Sequence, residues 1–233
     1  MKKYKFTGET KTIYLPFGTV TLHRIKAVVE FGLVKVGDLG GWIEKEENLS
    51  HEENAWVYGD AEVCGNAKVY GNAEVYGNAE VCGNAKVCGN ADVYGDAKVC
   101  GNAWVYDNTW VYDNAWVCGN ANVCGKAWVY GDAKVYGDAE VCGNAEVCGN
   151  AKVFSADHVL VIGAIGSRND FTTFFRDKDN EITVKCGCFL GKIDRFLEKV
   201  TQTHKDTKHA LVYRTAVEVA KLQINLTEKS TRR

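Results

Sequence analysis

Proline occurs once in these 233 residues, at Pro16, and no stretch approaches the roughly 18 continuous apolar residues that a spanning helix needs. The first scarcity excludes a Pro-rich linker, and the second excludes a helical membrane anchor. The opening Met1-Lys2-Lys3-Tyr4-Lys5-Phe6 carries charge with no apolar run behind it, so no secretory leader is expected there. A bacterial cytoplasm is the expected compartment, with the ten cysteines as thiols. Net charge is also nearly missing, at −2, but this balance hides a segregation. Residues 54–157 carry 6 basic and 13 acidic side chains, whereas residues 158–233 carry 14 basic and 9 acidic. An acidic middle and a basic C-terminal part are the first indication of partners.

What the chain has in excess is glycine, 24 residues, 14 of them set at a fixed period between Gly59 and Gly149. From Asn54 onward a six-residue unit repeats: a small residue at Ala55, Ala61 and every sixth position to Ala151, with Thr109 the one exception. Val recurs without exception from Val57 to Val153, giving 17 hexads in register. Ala and Val are two residues apart, so they point to one side of a short extended segment, and the residue between them faces out. Gly-Asn or Gly-Asp supplies the corner, where positive φ is cheap for Gly and tolerable for Asn or Asp. Gly and a β-branched residue in every unit oppose a helix.

The residue after Val sets the number of hexads per coil. Taken every 18 residues, one series reads Tyr58, Tyr76, Tyr94, Tyr112, Tyr130, Cys148. A second reads Cys64, Cys82, Cys100, Cys118, Tyr136, Phe154, and the third is mixed. Like sorts with like at 18 residues, which predicts a three-sided prism of nearly six coils, roughly 28 Å long at about 4.8 Å per rung. This repeat resembles the hexapeptide pattern of the left-handed parallel β-helix superfamily, best known for trimeric acyltransferases. The resemblance implies a left-handed solenoid; function is not set by it, because enzymes and scaffolds share the fold.

The expected architecture is therefore mainly β: a small N-terminal β cap over residues 1–38, a β-helix over 39–154, and a C-terminal α+β domain over 155–233. In the cap, residues 4–6, 12–15 and 20–31 read as strands, and Gly41 and Ile43 already occupy Ala-like and Val-like places of an imperfect first coil. In the C-terminal domain, residues 158–162, 171–176 and 181–186 read as three strands. Ile193, Phe196, Leu197 and Val200 mark an amphipathic helix, and a second spans about 208–224.

Acyl transfer in this superfamily rests on a histidine on a coil or on a loop that interrupts the coils. The 17 hexads contain neither; His51 precedes them and His158 follows. An acyltransferase using acyl-CoA is thus the runner-up, and no catalytic residue is assigned. Cys186-Gly187-Cys188 with His204 and His209 invites a zinc site, but one intervening residue is tighter than structural zinc spacing, so no metal is expected. No cofactor is expected either. Four outward tryptophans, Trp104, Trp110, Trp116 and Trp128, are expected to form a homo-oligomer surface, with a trimer favoured by analogy. Residues 162–170 form a Gly-containing polar segment in which Ser167, Arg168, Asn169 and Asp170, followed by Thr172, Thr173 and Arg176, are the candidate anion-binding group.

Over most of its length the chain resembles uncharacterised phage and mobile-element proteins of Gram-positive bacteria. The shared segments are the lead-in from Lys35 to Ser50, the Gly-Asn-Ala hexads and the Ile162-Gly163-Ala164-Ile165-Gly166-Ser167-Arg168-Asn169-Asp170 run. That resemblance implies a host-interaction role. The expected function is a non-catalytic, oligomeric binding protein whose basic C-terminal domain sequesters an anionic small ligand, such as a nucleotide defence signal, or holds a host protein. Nucleic acid and membrane are not expected partners, and a purely structural module is the remaining alternative.

Overall fold

A computed structural model describes residues 2–15 and 18–227. Its centre is a three-sided parallel β-solenoid of about six coils. Each hexad contributes a rung, and rungs 18 residues apart pair in parallel, so that Val63 lies beside Val81, Val81 beside Val99 and Val99 beside Val117. One face runs from Leu39–Ile43 through Glu62–Val63 to Lys152–Ser155; a second runs from Trp56–Val57 to Glu146–Val147; a third from Lys68–Val69 to Glu140–Val141. The repeated Ala and Val side chains are buried in one continuous core, with each Val of the inner coils meeting its own kind above and below. Ladder hydrogen bonds keep this stack in register, as in Glu62 N–H to the Ala79 carbonyl at 2.9 Å and Cys64 N–H to the Val81 carbonyl at 3.0 Å.

The corners explain the Gly-Asn pair. Gly83 has φ +70°, and a Cβ there would lie 3.0 Å from the backbone of Gly101 on the next coil, so the turn requires glycine twice over. The Asn side chains add an amide ladder outside the core. Asn66 donates to Asn84, Asn84 to Asn102, Asn102 to Asn120 and Asn120 to Asp138, at 2.9–3.2 Å. Where Asp107 and Asp113 take the glycine place they adopt φ +66° and +58°, and each carboxylate accepts the N–H of the glycine one coil on.

The lower end is closed by an antiparallel hairpin, Tyr4–Leu15 with Gly18–Ala27, which continues onto Leu39–Ile43. The two short strands expected over 4–15 are one strand carrying a bulge, and the next strand ends at Ala27 rather than at residue 31. The first coil starts where the spacing predicts, with Ile43 paired beside Val63. Gly41 nonetheless has no room for the alanine of later coils: a Cβ would sit 2.6 Å from the Ala61 carbonyl oxygen and from Val57. Gly41→Ala is expected to cost about 1–3 kcal/mol by overpacking, read as a lower melting temperature in circular dichroism.

Lys3 seals that end. It is buried, with its ammonium 2.7 Å from the Ala55 carbonyl and in reach of the Glu52 and Glu53 carbonyls. It also lies 4.7 Å above the Phe31 ring, and burial lowers its pKa to about 8.

The upper end is covered by an antiparallel sheet ordered Val159–Ile165, Asp170–Arg176, Ile182–Cys186, Phe189–Lys192. It has four strands, not the three expected: Phe189–Lys192 was hidden by a two-residue turn after Cys186. The strand Asp170–Arg176 joins two cores. Phe175 packs into the solenoid core, while Phe174 packs into a second core with the helices α1 (Ile193–His204) and α2 (Lys208–Gln223). No helix is long and apolar enough to cross a membrane among the described residues.

Candidate functional site

The seven residues expected to bind an anion are not one group. The two flanking strands extend further than the sequence suggests, to Ile165 and from Asp170, leaving only Gly166–Asn169 as the turn. Ser167 and Arg168 stand at its exposed tip, and Asn169 takes φ +51°. Asp170 is exposed and uses its carboxylate to accept the Phe171 N–H at 2.7 Å. The remaining three are structural. Thr172 is buried with its hydroxyl 3.3 Å from the Cys186 sulfur, and the Thr173 hydroxyl accepts the Glu146 N–H at 2.9 Å, tying the sheet to the solenoid. Arg176 is 0% exposed; it donates to the Lys152 carbonyl at 3.3 Å and to Asn180, and its guanidinium lies 4.6 Å over the Phe154 ring. It is a bolt between solenoid and cap, with no face left for a ligand. The alternation of the strand made these side chains look like a polar continuation of the loop, whereas it turns them inward.

Other side chains complete the site around Ser167 and Arg168. An open cleft of about 360 Å³ lies between the turn, the segment Cys186–Phe189 and both helices. Its floor is aromatic and aliphatic: Phe189 and Phe196 have ring centres 5.2 Å apart, Phe196 and Tyr213 5.5 Å, with Val200 alongside. Its rim carries Arg168, Lys199 and His204. Gly166 is required here, because a Cβ would fall 1.9 Å from the Tyr213 hydroxyl; Ser167 hydrogen-bonds that same hydroxyl. Burial pushes the Tyr213 hydroxyl above the ordinary tyrosine range, and the Cys186 thiol 3.9 Å away reinforces the shift. Arg168 extends over Gly187, where a Cβ would come within 2.8 Å of its guanidinium.

Sequence reasoning missed Lys199 and Tyr213, which lie on helix faces with nothing local to mark them. The weighed metal set is partly brought together: Cys186, Cys188 and His204 line the cleft, but His209 does not. Among the described residues no three His, Cys, Asp or Glu side chains are arranged to hold a metal ion. Of the nearby basic residues, Lys185 is paired with Glu146 at 3.1 Å and Lys192 with Asp177, so neither is a free rim cation.

Both histidines that flank the repeats are packed into end-cap contacts, His51 half-buried and His158 buried. His51 stacks on Tyr4 at 4.3 Å and accepts the Lys3 N–H, and burial lowers its pKa. His158 is buried, accepts the Phe154 N–H at 3.3 Å and meets the Phe154 ring edge-on at 4.2 Å.

The four tryptophans do not make one seam. Consecutive hexads lie on successive faces, so Trp104, Trp110 and Trp116 belong to three different faces of one coil. Trp128 stacks on Trp110 at 5.0 Å, and this pair alone shares a face. The result is an aromatic belt with each indole 38–42% exposed. Trp104 and Trp116 also donate to the sulfurs of Cys88 and Cys100, at 3.3 and 3.2 Å.

On the Trp110 face, Asp92 is partly buried next to Glu74 on the adjoining rung. Burial first, and the Glu74 charge second, push Asp92 up to about 6 from an ordinary 3.8. Between these values the folded chain holds a proton that the unfolded chain has released, so stability from this site is lost as pH rises through that window. Asp92→Asn is expected to melt above the parent protein at pH 7, with the advantage gone below about pH 4 in melts across a pH series.

No known family model matches the chain. A 62-residue stretch, 25% of this chain, is 39% identical to the uncharacterized acetyltransferase YdcK of Escherichia coli strain K12. That match spans 19% of YdcK, so the likeness covers about a fifth of the relative's length.

Proposed function

We propose that this chain is a non-catalytic binding protein whose solenoid is a rigid platform and whose C-terminal cleft captures an anionic small ligand with an aromatic ring. A nucleotide combines both features. The observation that carries the reading is the cleft itself, where Arg168 and Lys199 stand over a floor of Phe189, Phe196 and Tyr213. A ring stacks on such a floor, while a phosphate takes charge-assisted hydrogen bonds from the rim. The phage-protein resemblance supports sequestration of a host nucleotide signal in a bacterial cytoplasm, and the exposed Trp belt supports a homo-oligomer, with three copies favoured by analogy to the superfamily.

Isothermal titration calorimetry with AMP, ATP and inorganic phosphate tests this proposal. Heat is expected with a nucleotide and much less with phosphate alone. Silence from the intact protein toward every nucleotide in such a series removes the reading.

Acyl transfer from acyl-CoA is the second reading, favoured by the YdcK likeness. It requires acetyl-CoA turnover that disappears in His51→Ala or His158→Ala. The commitment of both rings to end-cap contacts weighs against it.

A further inference from the structure

The second series of post-Val residues places four cysteines on consecutive rungs of one face: Cys64, Cys82, Cys100 and Cys118, bounded by Glu44 below and Tyr136 above. Backbone hydrogen bonds of 2.9–3.0 Å hold each rung to the next in parallel register. Neighbouring thiols interact along the column: Cys82 donates to Cys64, Cys100 to Cys82 and Cys118 to Cys100. On the third face the same geometry already carries a covalent bond. Cys124 and Cys142 are 18 residues and one rung apart, with Cα atoms 4.5 Å apart, and they are joined as a disulfide. The chain's cysteines are therefore not all thiols, contrary to the reading from compartment alone.

We propose that the Cys64–Cys118 column is an oxidation site at which peroxide-class oxidants form two further rung-to-rung disulfides, Cys64–Cys82 and Cys100–Cys118. A row of four allows three neighbouring bonds, and only the two outer ones use every thiol. In each pair one thiolate attacks the peroxide O–O bond, giving a sulfenic acid and releasing hydroxide. The neighbouring sulfur then attacks the sulfenic sulfur; the S–S bond forms, the S–OH bond breaks, and water leaves. Two thiols and one peroxide thus give one disulfide and two waters.

Cys64 is the natural first nucleophile, because its contact with Cys82 holds its thiol below the ordinary cysteine range. In the second pair both thiols are pushed up, Cys118 by burial to about 11 and Cys100 further by its contact with Cys82, so the Cys100–Cys118 link forms more slowly and at higher pH or peroxide. The new bonds would fasten successive coils at two heights, and Cys124–Cys142 fastens a third. A solenoid whose coils contact only their neighbours parts between coils, so each staple bridges a junction at which the rod can separate.

The test is titration of the folded chain with hydrogen peroxide, alkylation of the remaining thiols, tryptic digestion and mass spectrometry without reduction. The Cys64 peptide ending at Lys68 is expected linked to the Cys82 peptide ending at Lys86, and fragmentation should place the second bond between Cys100 and Cys118. Alkylated thiols should fall from eight to four, leaving Cys88, Cys148, Cys186 and Cys188. The oxidised protein should melt higher than the untreated one, with reversal by dithiothreitol.

Cys82→Ser should remove the first link and retain the second, with an unchanged circular dichroism spectrum. Absence of both links at peroxide levels that oxidise exposed Cys188 would overturn the proposal, as would random pairing or the same pairs from protein treated in denaturant. An unchanged melting temperature after oxidation would overturn the stapling role. None of these readouts depends on the C-terminal cleft.

Discussion

Arg168→Ala is expected to weaken nucleotide binding at least tenfold while leaving the melting temperature within about a degree of the parent. The guanidinium stands at an exposed turn tip and lies over Gly187, so its removal opens no core and orphans no buried partner. What is lost is a charge-assisted hydrogen bond to the ligand, worth roughly 1.5–3 kcal/mol, and tenfold corresponds to about 1.4 kcal/mol. Lys199→Ala should give a smaller loss, because a lysine is a point charge without the planar fork that grips a phosphate.

Two controls separate recognition from general charge. Asn169→Gly, which keeps the positive φ of that position, sits on the same turn but outside the cleft and should leave affinity unchanged. Raising salt should weaken the parent protein more than Arg168→Ala, since the variant has less charge to screen. Calorimetry at two ionic strengths reads both effects, and equal binding by Arg168→Ala would remove the cleft as the recognition site.

Val111→Asp is expected to abolish the cooperative melt altogether. Val111 is 0% exposed and lies between Val93 and Val129 in its column, on a rung whose hydrogen bonds are already used by the ladder. An aspartate there enters a core of Ala and Val whose one nearby hydroxyl, Thr109, already donates to the Tyr106 carbonyl. An uncompensated buried charge costs about 3–5 kcal/mol, and protonation relieves only part of it. That is a large fraction of what holds a domain folded. Because coils contact only their neighbours, the damage should cut the solenoid in two, and limited proteolysis should cleave near residue 111 first. Val111→Ala, which deletes two methyl groups, should cost about 2 kcal/mol and keep a single transition. Loss of cooperativity in both variants would point to a rod much less stable than its packing indicates.

The solenoid was legible because its information is repeated. Sorting Tyr from Cys at 18 residues locates the three faces, and the same count places Trp104, Trp110 and Trp116 on different faces of one coil. A single tryptophan seam is incompatible with that count, because residues adjacent along the chain fall on different faces of the prism. The candidate site was legible only in part. A Gly-containing turn with Ser167 and Arg168 could be picked out, but strand alternation carried Thr172, Thr173 and Arg176 into buried contacts. Lys199 and Tyr213 reach the cleft only because the helices fold back over the sheet.

By itself the sequence determined the repeating part of this protein. A corner with positive φ, a small residue and a β-branched one every six positions leave a single way to stack, and each added coil copies the last. Tertiary structure alone decided the ends. Lys3 is drawn under the first coil to meet carbonyls with no rung below them, and Arg176 bolts the C-terminal sheet onto the last coil. The cleft is assembled from a turn, a strand end and two helices. Each of these contacts joins residues far apart in the chain, and each occurs once, so no period announces it. Their partners are set by which surfaces must be covered when the solenoid stops.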